Sequence, residues 1–529
     1  MDACSRNRKD GGGWKPAIFI IFVEVGERFA FYSVSMNLIT YLTEVLGEPI
    51  ATAARNVNLW MGVSALFPLL GGLMADSYLG RFRTILLSSI IYLTGLIMLT
   101  VAAWKGRGGG VLFFAALYVL SVGEGGHKPC IQTFAADQFD SETQEQKKRM
   151  SSFFNWWYLG IVVAAMIATF LVIYLQDNVG WTLGFGLPAA VVAAALLIFL
   201  AGSPTYRREA PVGSPLTRIF QVVVAASRNW RLTIESGGGD HKTAGRTNQF
   251  RFLDKAAVNQ GSEEGVNRWR VCSTNQVEET KQILRLLPVW LSGTIFFISV
   301  AQLSTFFTKQ ASTMVRSIGP HFQIPAASVH VSSGLVILLA VPAYDRLFVP
   351  LARRITGLPS GITVLQRIGI GIFFSIITMI LSAVVEEKRI REAKEYHLLD
   401  SPTATVPMSV WWLLPPFMVS GLADVFSYVG LQELFYDQMP ESMRSMGAAA
   451  FISMQGFGNL ASSGVISAVQ LASSRAGEEW LVDNLNRAHL NLFYWFLAAL
   501  GVLNLGYFIW VSSSFYYKQV QHEDVESLC

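Results

Sequence analysis

The chain has 529 residues, of which 52% are hydrophobic and only 15% charged, against about 25% charged in an ordinary soluble domain. Its charges gather in short stretches between long apolar runs, which excludes a soluble globular protein. A net charge of +4, with the basic residues dispersed between those runs, excludes a nucleic-acid binder. The four cysteines, Cys4, Cys130, Cys272 and Cys529, form no CxxC pair and have no His at ligand spacing, so neither a metal site nor a disulfide framework is expected. No Asn-x-Ser/Thr sequon occurs, and the first apolar run is too long for a cleaved signal.

A membrane-spanning helix needs about 20 mostly apolar residues. The sequence predicts twelve such runs. The first six are Pro16–Leu46, Leu59–Tyr78, Thr84–Trp104, Val111–Phe134, Ser151–Leu175 and Trp181–Gly202. The second six are Thr280–Phe307, Ser328–Leu351, Thr363–Val385, Met408–Leu431, Gly447–Ala472 and Leu490–Ser514. The expected organisation is therefore a short N-terminus (1–15), a six-helix bundle (16–202), a polar central loop (203–279), a second six-helix bundle (280–514) and a tail (515–529). The central loop is read as partly helical near Leu216–Ala226 and flexible near Ser236–Thr247. An all-α membrane protein of two six-helix halves places its site at the midplane between them.

Arg6, Arg8, Lys9 and Lys15 precede the first span, Arg81 and Arg83 follow the second, and Lys147, Lys148 and Arg149 follow the fourth. With the basic central loop and Arg353 and Arg354, they fall on one side of an alternating chain, so both termini are expected in the cytoplasm. The stretch Lys388–Lys394 breaks this pattern, since alternation puts it outside.

Charges inside the apolar runs carry the functional signal. Glu24, Glu27 and Arg28 share one helical face of the first span. A charge at that depth costs at least about 2.5–3.5 kcal/mol, so it turns inward, pairs and usually lines a pathway. The fourth span holds Glu124, His127 and Lys128 beside three glycines and Pro129, a helix able to bend. Glu124 lies one turn before Lys128 and is a ready partner for it. His127 is adjacent to Lys128 and cannot share its face. Asp424 lies deep in the tenth span, and Glu433 lies nearer its end, beside Asp437. The loop after the second span, Gly71 to Arg83, offers Asp76 to Arg81 or Arg83 as a gating latch, with Gly80 allowing a tight turn. Candidate substrate contacts are Tyr32 and Tyr41 in the first span, Asn155 and Trp156 in the fifth, and Gln302 and Thr305 in the seventh.

These residues resemble a known family. Glu24-x-x-Glu27-Arg28 resembles the ExxER motif of the proton-dependent oligopeptide transporters, and Gly72 to Arg81 resembles their loop signature. Gly125-Gly126-His127-Lys128-Pro129-Cys130, Ala136-Asp137-Gln138-Phe139-Asp140, Phe154-Asn155-Trp156-Trp157-Tyr158 and Leu431 to Gln438 are similar to the plant branch, the nitrate transporter/peptide transporter family. The resemblance implies a major facilitator fold that couples entry of a small solute or anion to entry of protons, with no other cofactor. It implies proton coupling by Glu24, Glu27 and Arg28, with Lys128 as their alternate partner. Asp424 stands where the family commonly has Glu. Val300 stands where a nitrate-transporting plant member has His, a departure that argues against that route to nitrate. Thr84 matches a regulatory phosphorylation position, which implies a kinase as partner. Plant relatives occupy the plasma or the vacuolar membrane. Oligomeric state is not legible. The rival readings are a solute sensor and an uncoupled facilitator. No nucleotide motif, catalytic triad or clustered metal ligand points to a pump or an enzyme.

Overall fold

The computed structural model describes residues 13–139, 157, 160–208, 215–230, 250–257, 269, 272–319, 322–357, 361–402, 404–439 and 444–515. Among them nine stretches are long and apolar enough to cross a membrane, one of which, Arg81–Ala135, holds two helices; with the helices Trp14–Ser35 and Arg444–Arg475 they give twelve spans in two sets of six. The first set is Trp14–Ser35, continued through Tyr41–Val45, then Ile50–Met74, Arg81–Lys105, Gly110–Ala136, Gly160–Asn178 and Trp181–Gly202. The second is Thr274–Val300, continued through Phe306–Ser312, then Ala326–Thr356, Val364–Glu395, Val410–Phe435, Arg444–Arg475 and Leu490–Ser513. Two pairs of short strands tie loops together, Met314–Val315 with Val406–Ser409 and Ser317–Ile318 with Phe322–Gln323.

Three boundaries differ most from expectation, each for a local reason. The second span starts at Ile50, not Leu59: Arg55, Asn56 and Asn58 interrupt the apolar run, yet Ala51, Ala53, Ala54 and Val57 bury one face of a regular helix behind Pro49. The seventh starts at Thr274, where Ser273 accepts from the Gln276 N–H at 3.3 Å and Gln276 accepts from the Ser273 N–H at 3.2 Å. The ninth continues to Glu395, so Lys388–Lys394 is helix, not loop. Its polar extension is held by Glu386 and Arg389, both wholly buried. Arg389 donates to Glu386 at 2.8 and 2.7 Å, to Asn486 Oδ1 at 2.8 Å and to the Leu485 carbonyl at 2.6 Å.

The first and seventh spans, which open the two halves, are both broken, at Met36–Asn37 and at Ala301–Thr305. At the first break Asn37 donates to Gln176 Oε1 at 3.1 Å and to Asp177 Oδ1 at 2.9 Å on the fifth span. Breaks at matching places in repeated halves are a mark of transporter folds.

Alternation defines two poles. The proximal pole carries the central segment. Its helix, Pro215–Arg228, packs Val222, Ala225 and Ala226 onto Leu253, Ala256 and Val277. Lys281, fully buried, joins Asp254 at 2.7 Å and Glu278 at 2.9 Å, which fastens the segment to the second half. The stretch 236–247 lies outside the described residues.

At the distal pole the halves are joined. Lys309 Nζ lies 3.1 Å from Glu44, Arg55 donates to Gln470 at 3.1 Å, and the Ile50 N–H donates to Asp483 at 2.8 Å. Deeper, Asn58 and Gln302 both donate to Ser462 Oγ, at 3.1 and 2.9 Å. Ser328 donates to the Thr169 carbonyl at 2.8 Å, and Tyr174 stacks on Phe322. The outer surface carries Leu87, Ile90, Ile97, Leu338, Leu339, Leu503 and Ile509, all exposed, with Trp104, Trp510 and Tyr78 near span ends. An apolar band edged by aromatic residues is a lipid-facing surface.

Candidate functional site

The site begins with glycines. A Cβ on Gly71 would overlap the Gly125 carbonyl, and one on Gly126 would overlap Ser88 Oγ. The second, third and fourth spans therefore touch nearly backbone to backbone, as small residues permit in membranes. Gly26 plays the same part between the first and sixth spans, where an added Cβ would lie 2.9 Å from Ala195 Cβ. This packing presses the polar faces of the first and fourth spans together.

On the first span Arg28 Nε donates to Glu24 Oε1 at 2.7 Å and lies 3.2 Å from Glu27 Oε2. Glu24 and Glu27 are each 3% exposed. On the fourth span Lys128 pairs with Glu124 and lies 4.5 Å above the Phe31 ring. His127 points the other way, with Nδ1 4.0 Å from Glu24 Oε2. Glu27 and His127 line a small cavity with Ser89 and Tyr92 of the third span and Val192 and Ala195 of the sixth. Glu24 Oε2, both Glu27 oxygens, Ser89 Oγ and His127 Nδ1 are buried with no hydrogen-bond partner. Ser89 and Tyr92 carry no charge and had no signal in the sequence; His127 was visible but masked by its neighbour.

The other candidates lie elsewhere. Asp424 sits partly buried in the tenth span at a wide turn, Asp424–Tyr428, with no hydrogen-bond or ion-pair partner among the described residues. One turn on, Tyr428 packs edge-on to Phe451 and Phe297, at 4.8 and 6.0 Å between centroids. Glu433 pairs with Arg367 of the ninth span at 3.0 Å, and Arg367 also holds the Val425 carbonyl at 3.0 Å. This makes Glu433 a fastening between the two spans.

Tyr32 is partly buried and meets Phe31 edge-on. Tyr41, Gln302 and Thr305 are fully enclosed in this conformation. Tyr41 stacks on Phe113 at 4.3 Å and packs against Trp181 and Phe185 beyond the break in the first span. Gln302 belongs to the distal joint. Thr305 donates to the Ala301 carbonyl at 3.0 Å across the break in the seventh span. Asn155 and Trp156 lie outside the described residues.

At the proximal pole Asp76 falls in the turn Ala75–Leu79 that ends the second span, and its side chain lies outside what is described. Gly80 follows with φ 76°, a conformation that suits glycine. Arg81 pairs with Asp137 at the end of the fourth span, a partner the loop motif by itself did not point to, and Arg83 is exposed. Thr84 is buried, its hydroxyl donating to the Gly80 carbonyl at 3.0 Å, so the side chain is closed off in this conformation.

Comparison with known proteins identifies the family. The profile of the POT family, PTR2, matches residues 82–481. The chain belongs to the POT family. Among curated proteins, NRT1/PTR family 5.4 of Arabidopsis thaliana is 51% identical over 98% of both chains. NRT1/PTR family 5.10 of the same plant is 45% identical over 97% of this chain and 95% of its own. An auto-inhibited POT family peptide transporter superposes with a TM-score of 0.76 at 23% identity, covering 96% of this chain and 98% of the other. The POT family transporter PepTSo gives 0.74 at 22% identity, covering 95% and 98%. At such identities the superpositions speak for the fold. This POT family member is thus an integral membrane transporter of the major facilitator fold, not an enzyme.

Proposed function

We propose that this transporter is a proton-coupled symporter of a small solute, a nitrate, a di- or tripeptide or a plant hormone or specialised metabolite, working by alternating access. The observation that carries the reading is a charge imbalance. The charged groups acting on Glu27 are Arg28, Glu24, Glu124 and Lys128. Three carboxylates face two cations, so the cluster, with every carboxyl ionised, keeps one negative charge, and several of its carboxylate oxygens have no hydrogen bond. Buried charge is tolerated only when paired, and a single proton restores the balance.

Coupling follows from electrostatics. A carboxylate beside a cation binds its proton weakly, and one left alone in apolar surroundings binds it tightly. A rearrangement that moves Lys128 or Arg28 toward or away from Glu24 and Glu27 therefore changes proton affinity. With the basic proximal pole in the cytoplasm, the joined distal pole makes this the conformation closed to the outside. Asp424, an isolated carboxyl in the second half, is the complementary group for a polar solute held between halves. Thr84, where phosphorylation is implied, lies under the proximal pole and so couples to its opening.

The test is uptake in cells expressing the chain, with a panel of nitrate, dipeptides and plant hormones at acidic and neutral external pH. One compound should enter faster at acidic pH. Glu27→Gln should abolish accumulation against a gradient while sparing exchange, and Lys128→Ala should remove the pH dependence. Concentrative uptake by Glu27→Gln refutes the assignment.

A further inference from the structure

We infer that His127 is a further proton-binding residue of the buried cluster, sharing one proton with Glu24 across the contact between the first and fourth spans. The inference rests on the proton-coupled reading above and extends it to a residue outside the charged motif. Successive residues on a helix point about 100° apart. Only one of His127 and Lys128 can therefore face a given neighbour. Lys128 is turned to Glu124 and Phe31, and His127 to Glu24 and Glu27.

Ligand atoms of Glu24, Glu27 and His127 all lie within 4.8 Å of one another, and all three residues are buried. On the facing side each offers an atom without a hydrogen bond, Glu24 Oε2, both Glu27 oxygens and His127 Nδ1, although Glu27 Oε2 also lies 3.2 Å from Arg28 Nε. Carboxylate oxygens only accept, so a neutral imidazole with its Nδ1 lone pair toward them sets acceptor against acceptor. A proton on Nδ1 makes that 4.0 Å contact attractive, and closing the gap by about 1 Å makes it a charge-assisted hydrogen bond. The Arg28 Nε donor is already spent on Glu24 Oε1. His127 is then the group on this side able to give Glu24 Oε2 a proton and to take it back.

The surroundings are accounted for on each side. The first span presents Glu24, Glu27 and Arg28, and the third presents Ser89 and Tyr92. The sixth presents the apolar Val192 and Ala195, and the helix of His127 itself adds Glu124 and Lys128. The same three ligands have the composition of a divalent-cation site. Two positive charges beside Arg28 would overshoot the single negative charge of the cluster, whereas one proton balances it.

The experiment is infrared difference spectroscopy on the full-length protein in lipid between about pH 8 and about pH 5, the range in which histidine ordinarily titrates. It needs no transported solute. In the wild type an imidazole band and a protonated-carboxyl band should change with one common midpoint. His127→Asn should lose the imidazole change and move the carboxyl midpoint by about one pH unit, a tenfold change in proton affinity. A carboxyl band at the wild-type midpoint in His127→Asn overturns the inference. Should that variant not fold, Glu24→Gln with labelled histidine gives the reciprocal reading: the His127 signal shifts if the proton is shared, and an unmoved signal overturns it. The proton-coupled reading fails on a different result, concentrative uptake by Glu27→Gln.

Discussion

Removing Arg389 tests whether the polar extension of the ninth span is fastened as the structure shows. Its guanidinium and Glu386 are both wholly buried, and it also holds Asn486 and the Leu485 carbonyl of the loop before the twelfth span. Arg389→Met keeps much of the volume and the stem but leaves a carboxylate, an amide oxygen and a carbonyl unpaired. Breaking a buried pair from one side costs about 3–5 kcal/mol. At about 1.4 kcal/mol per power of ten, this is two to nearly four powers of ten in the unfolding equilibrium. Removing both charges is much cheaper, because no ion is left stranded. Glu386→Leu with Arg389→Met should therefore recover most of the loss, and Arg389→Lys should fall between. Equilibrium unfolding in mixed micelles, followed by tryptophan fluorescence, reads all four proteins. A single Arg389→Met within about 1 kcal/mol of wild type, or a double variant worse than the single, would refute the reasoning.

Three further outcomes follow from the packing. Gly71→Ala and Gly126→Ala should each cost about 1–3 kcal/mol by overpacking; Ser88→Ala should rescue Gly126→Ala, where a hydroxyl is in the way, but not Gly71→Ala, where the obstacle is the Gly125 backbone. Thermal unfolding of the four variants separates the two cases. Lys309→Ala should loosen the distal joint only slightly, since Glu44 is 57% exposed and such pairs are worth about 0–1 kcal/mol; Ser304 is buried in the break of the seventh span, and labelling of Ser304→Cys by an impermeant thiol reagent should rise less than about fivefold. Asp424→Asn should keep or raise the unfolding temperature, because a carboxyl without a partner is replaced by an amide that cannot ionise, while lowering uptake at least about tenfold, near 1.4 kcal/mol in transition-state terms. Full uptake by Asp424→Asn would take Asp424 out of the site.

Much of this protein is legible along the chain. Lipid demands long apolar helices, so the twelve runs, their grouping around a polar centre and the inward-facing charges at Glu24, Glu27, Arg28, Lys128 and Asp424 can all be read without coordinates. Neighbours within one helix are equally determined, because its periodicity sets them: Arg28 with Glu24, Lys128 with Glu124 and Arg389 with Glu386 are each one turn apart. Contacts between helices are not. How far one span is rotated about its axis against the next depends on which small residues let backbones approach, and those contacts join residues far apart in sequence. Packing at Gly71, Gly125 and Gly126 is what turns His127 toward Glu24 and brings Ser89 and Tyr92 to the same cavity. Packing also encloses Tyr41, Gln302 and Thr305, whose polar atoms suggested a binding surface, and pairs Arg81 with Asp137. Local chemistry chose the helices and their charged faces; the tertiary structure alone decided which faces meet.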